Sequence, residues 1–145
     1  MKQVLVCGGA GYIGAHMAKL LAGTGFGVTV LDNLSTGHRE AVRWGELIEG
    51  DLLNPADLEQ LFSSKRFDAV MHFCALSLVG DSVRDPHGYY RNNVGGTLNL
   101  LHAMKQSGVE RLVFSSSAAV YGMPTHSPID ESQPEKPINP YGASK

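Results

Sequence analysis

Short apolar runs alternate along the chain with longer segments in which apolar residues recur every three or four positions. A run that is apolar throughout is typical of a strand buried on both faces of a parallel sheet. Four of the predicted strands are residues 3–7, 28–31, 69–75 and 112–115, and a further one, third along the chain, starts at residues 47–48 and ends at Gly50-Asp51.

The segments between these strands predict helices at residues 12–24, from Pro55 onward with Asn54 as its cap, and at residues 92–106. Residues 122–140 hold five prolines and no periodicity, so a surface loop is expected there. Repeated alternation of strand and helix predicts an α/β fold, a doubly wound parallel sheet with right-handed crossovers. The length of 145 residues suits one domain.

Composition and charge exclude several classes of partner. The net charge of -2 gives no basis for binding nucleic acid or an anionic membrane, and no apolar run approaches the roughly 20 residues of a membrane span. The N-terminus does not read as a signal peptide, so a cytoplasmic location is expected. Cys7 and Cys74 lie in apolar runs that favour buried thiols, and the histidines form no ligand-like cluster, so no metal is expected.

The stretch "GGAGYIG" joins the first predicted strand to the first predicted helix. Gly9, Gly11 and Gly14 fit one spacing of a dinucleotide-binding loop, and Gly8, Gly11 and Gly14 fit another. In both spacings the glycines allow a tight turn and a close approach of backbone amides to a pyrophosphate at the helix N-terminus. Asp32, at the end of the second strand, would accept hydrogen bonds from the adenosine ribose and repel a 2′-phosphate. NAD is therefore predicted in preference to NADP.

Other strand ends carry further candidate chemistry. Asp51 and Leu52 follow the third strand near the expected adenine position, and a serine cluster follows the fifth. Tyr141 and Lys145 are four positions apart, so a helix would stack them on one face. A nearby ammonium stabilises a phenolate, and a serine hydroxyl can hydrogen-bond the same substrate oxygen. This group predicts a base that removes a hydroxyl proton while the adjacent carbon gives hydride to a cofactor.

The chain resembles the N-terminal part of the extended short-chain dehydrogenase/reductases, and most closely the UDP-glucose (UDP-galactose) 4-epimerases among them. The motifs that carry the resemblance are "GGAGYIG", "DNLSTG", "GDL", "HFCAL", "YYRNNVGGTLNLL", "FSSSAAVYG" and "PYGASK". By position, it implies Ser117 as the catalytic serine, Tyr141 as the base and Lys145 as its electrostatic partner. The implied NAD-binding residues are Gly8, Gly11, Tyr12, Ile13, Gly14, Asp32, Asn33, Thr36, Gly37, Asp51, Leu52, Phe73, Cys74, Ala75, Asn93 and Ser115.

The resemblance implies inversion at C4 of a UDP-hexose through a transient 4-keto sugar, as part of galactose metabolism. Residues 1–145 would form the NAD-binding Rossmann domain, C-terminally truncated and lacking the substrate-binding domain. The expected partners are a UDP-sugar substrate and, for the complete protein, a second copy in a homodimer. The 145-residue chain alone is expected to bind NAD weakly and to lack epimerase activity.

One position differs from the pattern of the family, and other functions than UDP-hexose epimerisation are also considered. Ser77 stands where many epimerases have a lysine, which removes one predicted contact near the nicotinamide. A 4,6-dehydratase carries an Asp-Glu pair after the catalytic serine or threonine, and this chain has Ala118 and Ala119 there. A UDP-glucuronate or UDP-N-acetylglucosamine 4-epimerase remains open, because such relatives read the substrate with downstream residues. The alternative outside the enzymes is a non-catalytic module that only binds NAD.

Overall fold

A computed structural model describes all 145 residues, and the chain divides into two compact units. The sheet unit consists of Met1–Cys74 and Gly96–Ser115, and the loop unit consists of Ala75–Gly95 and Ser116–Lys145. The helices are α1 Tyr12–Gly23, α2 Pro55–Ser64, α3 Val79–Arg84, α4 Pro86–Tyr89, α5 Gly96–Gln106 and α6 Pro140–Ala143.

The sheet unit contains five parallel strands in the order β3-β2-β1-β4-β5. The strands are β1 Gln3–Cys7, β2 Gly27–Asp32, β3 Glu46–Glu49, β4 Ala69–His72 and β5 Leu112–Phe114. This order confirms the predicted parallel sheet of a Rossmann fold, with its reversal of strand order beside β1. Strands β4 and β5 end at His72 and Phe114, earlier than the predicted residues 75 and 115.

Helices cover both faces of this sheet, as the doubly wound prediction requires. On one face, Ala18 of α1 packs with Val6 and Val30 in one buried cluster. On the other, Leu58 of α2 and Leu100 of α5 belong to a second, larger cluster. The inner strands β1, β2 and β4 therefore bury side chains, which explains their apolar runs, whereas the edge strands β3 and β5 contain no fully buried residue.

Helix α2 begins where its sequence signals indicate. Pro55 occupies the first turn, and the side-chain oxygen of Asn54 accepts a hydrogen bond from the Ala56 amide at 3.3 Å. This cap satisfies one of the amides that a helix start leaves without an intrahelical partner, so the predicted boundary is confirmed.

The loop unit contains short elements that the apolar pattern did not predict. Helices α3 and α4 span six and four residues, too few for a periodic stripe. The helix predicted at residues 92–106 is confirmed, but its first part belongs to a π-helical turn at Tyr90–Gly95 that the pattern did not predict, and α5 begins at Gly96. Buried Asn93 lies inside this turn, and such local widenings of a helix are frequent at functional sites.

Residues 122–140 form no helix or strand before α6 begins at Pro140, which confirms the predicted loop. Buried Gln133 closes its outer part, since its Nε2 donates to the His126 carbonyl at 2.8 Å and its Oε1 accepts from the Thr125 amide at 2.9 Å. No helix of the protein has both the length and the apolar character needed to cross a membrane.

Candidate active site

The glycine loop after β1 is shaped by close backbone contacts. Gly8 has φ 81°, and a Cβ there would lie 2.8 Å from the Phe73 carbonyl carbon. A Cβ on Gly14 would lie 2.1 Å from the Gly8 carbonyl oxygen, so α1 packs directly onto the loop. Gly11 differs, because a Cβ there would meet only the Gly8 oxygen at 3.4 Å, an ordinary contact. The protein itself therefore requires glycine at Gly8 and Gly14, whereas Gly11 leaves open space for a ligand.

No capping side chain accepts a hydrogen bond from the backbone amides at the N-terminus of α1. Gly11 is the N-cap residue without a capping side chain, and the first turn carries no acidic residue. Tyr12 and Ile13 are exposed, at 83% and 58%. A twelve-residue helix with free amides at its N-terminus favours an anion at this position.

Asp32 is buried beside this loop and is held by two backbone amides. Its Oδ2 accepts from the Ala10 amide and its Oδ1 from the Leu34 amide, both at 2.9 Å. Leu34 has φ 56°, an uncommon conformation for a branched residue that turns the chain back toward the loop. The His38 amide then donates to the Ala10 carbonyl at 3.1 Å. The structure thus brings the predicted ribose acid next to the predicted pyrophosphate loop.

Two other predicted adenosine residues are joined by a hydrogen bond. The Asn33 Nδ2 donates to Asp51 Oδ2 at 3.1 Å, and the other oxygen of Asp51 accepts from the Leu53 amide at 2.8 Å. Gly37 is packed against the loop, since a Cβ there would lie 2.8 Å from the Ala10 Cβ. The exposed side chain of Thr36 lies in the same turn.

The remaining predicted cofactor residues of the sheet unit are placed by strand pairing. The Phe73 amide donates to the Cys7 carbonyl at 2.9 Å, which sets the end of β4 beside the loop. The Ser115 amide donates to the His72 carbonyl at 3.1 Å at the end of β5. Leu52 is a core residue, and its carbonyl already accepts from the Asn99 side chain at 2.9 Å. Its predicted adenine contact stays a prediction.

In the loop unit, Ser117 begins a 3-10 turn at Ala118–Tyr121. The Ser117 Oγ accepts from the Ala119 amide at 3.1 Å, which orients the oxygen and leaves the hydroxyl hydrogen available to donate. A Cβ on Gly142 would lie 2.5 Å from the Ala119 carbonyl oxygen, so α6 rests directly on this turn. The backbones that carry Ser117 and Tyr141 are therefore held in contact.

Tyr141 lies at the start of α6, which is capped by Asn139. The Asn139 Oδ1 accepts from the Gly142 amide at 2.8 Å. The Tyr141 ring meets the edge of the Tyr89 ring with centroids 6.5 Å apart. The helix ends at Ala143, and the stacking of Lys145 over Tyr141 stays a prediction. The Lys145 amide donates to the Gly142 carbonyl at 3.2 Å, and the Ser116 Oγ donates to the Lys145 carbonyl at 3.3 Å.

Asn93 links several parts of the loop unit through its side-chain amide. Its Oδ1 accepts from the Leu76 amide at 2.8 Å, and its Nδ2 donates to the Leu76 carbonyl at 3.0 Å and to the Ser144 Oγ at 2.9 Å. The Ser144 hydroxyl in turn donates to the Tyr141 carbonyl at 2.8 Å. Asn93 is thus committed to positioning the segment that carries Tyr141. Ala75, another predicted cofactor residue of the loop unit, is partly buried.

The family model described as NAD dependent epimerase/dehydratase matches residues 4–145. The chain belongs to this family. A curated relative, the UDP-glucose 4-epimerase of Rhizobium leguminosarum bv. trifolii, is 50% identical over 144 residues, which cover 99% of this chain and 44% of the relative. The chain therefore spans less than half the length of such curated family members.

Solved structures of family members also match nearly all of this chain and less than half of their own length. The UDP-glucose 4-epimerase from Brucella ovis in complex with NAD is 53% identical, with a TM-score of 0.96 over 99% of this chain and 44% of that one. The UDP-Glc/GlcNAc 4-epimerase from Campylobacter jejuni is 40% identical, with a TM-score of 0.95 over 100% of this chain and 46% of that one.

Sequence reasoning missed residues that support the family motifs. Ser144 and Tyr89 are buried beside Tyr141, and Tyr89 also donates its hydroxyl to the Leu78 carbonyl at 2.7 Å. Neither position carries a signal that single-sequence patterns detect. Asn139 before Pro140 was detectable, since an asparagine followed by proline is a common helix start. No group of histidine, cysteine, aspartate or glutamate residues is arranged to hold a metal ion.

Proposed function

We propose that this chain supplies the NAD-binding and proton-transfer residues of a UDP-hexose 4-epimerase. The observation that carries the proposal is the packing of α6 on the Ser117 turn, where a Cβ on Gly142 would lie 2.5 Å from the Ala119 oxygen. This packing keeps a serine hydroxyl and a tyrosine hydroxyl on adjoining backbones, as proton abstraction from a sugar alcohol requires.

The glycine loop fits a dinucleotide in its physical details. Gly11 leaves space for a pyrophosphate beside the uncapped N-terminus of α1. The Asp32 carboxylate, fixed by two amides at 2.9 Å, keeps lone pairs for the ribose hydroxyls and disfavours a 2′-phosphate. NAD bound there would accept the hydride from C4 of the sugar and return it to the opposite face.

The chain's own residues would manage the proton of the 4-hydroxyl group. Tyr141 accepts that proton as the C4–H bond breaks and returns it when the bond re-forms. Lys145 stabilises the phenolate of Tyr141 by its positive charge. The Ser117 hydroxyl, whose oxygen is already oriented by the Ala119 amide, donates to the sugar oxygen and stabilises its developing charge.

Two related activities make different demands on these residues. A 4,6-dehydratase needs an additional acid and base next to the catalytic serine, and Ala118 and Ala119 supply neither. A 4-epimerase for UDP-N-acetylglucosamine would use the same proton-transfer group, and the Campylobacter jejuni neighbour is described as a UDP-Glc/GlcNAc 4-epimerase. We propose that UDP-glucose and UDP-galactose are the main substrates, because the curated relatives at about 50% identity are described as UDP-glucose 4-epimerases.

We also propose that sugar recognition resides in a second domain outside residues 1–145, and that the complete protein is a cytoplasmic homodimer. Exposed Leu98 and Leu101 on α5, at 60% and 41%, support an interface on this helix. Sedimentation of the complete protein tests the dimer directly, and a monomer at micromolar concentration would refute it.

The function is tested with a chimera in which residues 1–145 replace the matching part of the Brucella ovis enzyme. We expect it to interconvert UDP-glucose and UDP-galactose with NAD, whereas the 145-residue chain alone shows no turnover. Assays with UDP-N-acetylglucosamine and UDP-glucuronate rank the substrates. A 4-keto-6-deoxy product in place of a C4 epimer would contradict the proposal.

The matched control for the chimera is Tyr141→Phe, which removes the proton-accepting oxygen and keeps the ring against Tyr89. A general base contributes about 100- to 10,000-fold to a rate. The turnover number should fall by at least about 100-fold while NAD binding is retained. A smaller loss would show that another group accepts the proton.

A further inference from the structure

The only two cysteines of the chain are brought together at the base of the glycine loop. Cys7 is the last residue of β1 and is completely buried, and Cys74 follows β4 by two residues and is partly buried. Cys7 belongs to the larger hydrophobic cluster, Cys74 packs against it, and the Cys74 thiol is near enough to the Cys7 thiol to raise its pKa. The two thiols are thus neighbours although 67 positions separate them in the chain.

This pair adjoins the backbone that shapes the candidate NAD site. Gly8 follows Cys7 directly, and a Cβ on Gly8 would lie 2.9 Å from the Cys74 amide nitrogen. Gly8 also has φ 81°, which an ordinary residue rarely adopts. A change in the spacing of the two cysteines must therefore move the Gly8 turn or the Phe73–Cys74 backbone.

We propose that Cys7 and Cys74 form an oxidisable dithiol that a low-molecular-weight disulfide converts to an intramolecular disulfide, and that this bond and bound NAD exclude each other. The reaction goes beyond the proposed epimerase activity, in which neither sulfur reacts. Neither cysteine belongs to the proton-transfer group of Ser117, Tyr141 and Lys145.

The exchange proceeds in two balanced steps. The Cys74 thiolate attacks one sulfur of oxidised glutathione, forms a mixed disulfide and releases one glutathione thiolate. The Cys7 sulfur, after giving up its proton, attacks the Cys74 sulfur and releases the second glutathione. The two protein thiols lose two electrons and two protons in total, and the oxidant receives both as two glutathione thiols.

The surroundings of the two cysteines determine which of them reacts first with the oxidant. The hydrogen bond with Cys74 and complete burial raise the pKa of the Cys7 thiol well above its ordinary value, and the nearby Asp32 carboxylate acts in the same direction. Thiolate is the reactive form, so Cys7 is a poor first nucleophile. Cys74 is the more accessible sulfur and reacts first, and Cys7 resolves the mixed disulfide.

Strand geometry explains why formation of the disulfide bond would disturb the NAD site. Cys7 is paired with His72 in the parallel register of β1 and β4, so Cys74 lies two residues beyond its partner. β4 ends at His72, and strand geometry continued to Cys74, with a spacing of about 4.8 Å and a rise of about 3.3 Å per residue, would place the two Cα atoms about 8 Å apart. A disulfide needs Cα atoms within about 6.8 Å. Closure must therefore draw together two backbones that already touch at Gly8.

The test exposes the reduced 145-residue chain to oxidised glutathione and follows its intact mass. The expected product is a monomer that has lost two hydrogens and regains them with a reductant. NAD at about ten times its dissociation constant should slow this reaction about tenfold, because only the free chain reacts. The oxidised chain should bind NAD at least about tenfold more weakly by calorimetry.

Two single variants separate the steps. Cys7→Ala should stop at a stable glutathione adduct on Cys74, and Cys74→Ala should remain unmodified because Cys7 is buried. Four results would overturn the proposal: an unreacted wild-type chain, a persistent glutathione adduct on it, a disulfide-linked dimer, or a disulfide that forms at the same rate with and without NAD.

Discussion

Replacing Gly14 by alanine places a methyl group against the backbone of the glycine loop. The new Cβ would lie 2.1 Å from the Gly8 oxygen and 2.8 Å from both the Gly8 carbonyl carbon and the Gly9 Cα. Ordinary van der Waals contact begins near 3.4 Å, so α1 and the loop must separate by more than an ångström. All three neighbours are backbone atoms, which cannot rotate away as a side chain would.

The free-energy change combines two opposing contributions. Alanine favours a helix over glycine by about 1 kcal/mol, and overpacking of a close-packed site costs about 1–3 kcal/mol. Because backbone atoms form this contact, we take an overpacking cost of about 3 kcal/mol. After the gain of about 1 kcal/mol from alanine, the unfolding free energy should fall by about 2 kcal/mol. The displaced loop should also weaken NAD binding at least about tenfold, or about 1.4 kcal/mol.

Gly23→Ala is the matched control in the same helix. Gly23 is the last residue of α1, and a Cβ there meets nothing within 4 Å. This variant should be unchanged or stabilised by up to about 1 kcal/mol and should bind NAD normally. Urea denaturation gives both free energies, and calorimetry gives the NAD affinities. If Gly14→Ala matches Gly23→Ala in stability and affinity, the close packing of α1 on the loop is refuted.

Two further predictions concern carboxylates. In Asp32→Asn, one amide oxygen replaces two carboxylate oxygens, so the Ala10 or the Leu34 amide loses its acceptor. Unfolding free energy should fall by about 1–2 kcal/mol, and the NAD-over-NADP preference measured by calorimetry should shrink; an unchanged preference contradicts the assigned role. The Ser132 hydrogen bonds lower the pKa of Asp130 from 3.8. These hydrogen bonds stabilise the folded chain above pH 3.8, and their contribution is lost as the pH falls through the lower pKa of Asp130 in the folded chain. An NMR titration of the Ser132 amide shift measures that pKa. A titration midpoint at or above 3.8 contradicts the prediction.

Much of the fold and part of the site were predictable because their causes are local. A short apolar run is typical of a strand in a parallel sheet that helices cover, so the pattern placed all five strands of the sheet unit. The loop from Gly8 to Gly14 was recognisable because turn and helix packing tolerate only glycine at particular positions. The start of α2 at Pro55 followed from its cap.

Other features depended on residues far apart in the chain. The π-helical turn at Tyr90–Gly95 was not predicted. It contains Asn93, whose side-chain amide donates to the Ser144 Oγ at a separation of 51 positions. Local propensity does not contain these contacts, since it reports only on neighbours within a few residues.

The amino-acid sequence by itself determined the order of strands and helices, the glycine loop with Asp32, and the types of residue available for proton transfer. The tertiary structure alone decided that Asn93 positions the Tyr141 segment and that Cys7 and Cys74 become neighbours beside Gly8. The physical reason is that parallel strands are joined by long crossovers. Residues that meet at a sheet edge are therefore distant in sequence, and no local pattern shows which of them will be neighbours.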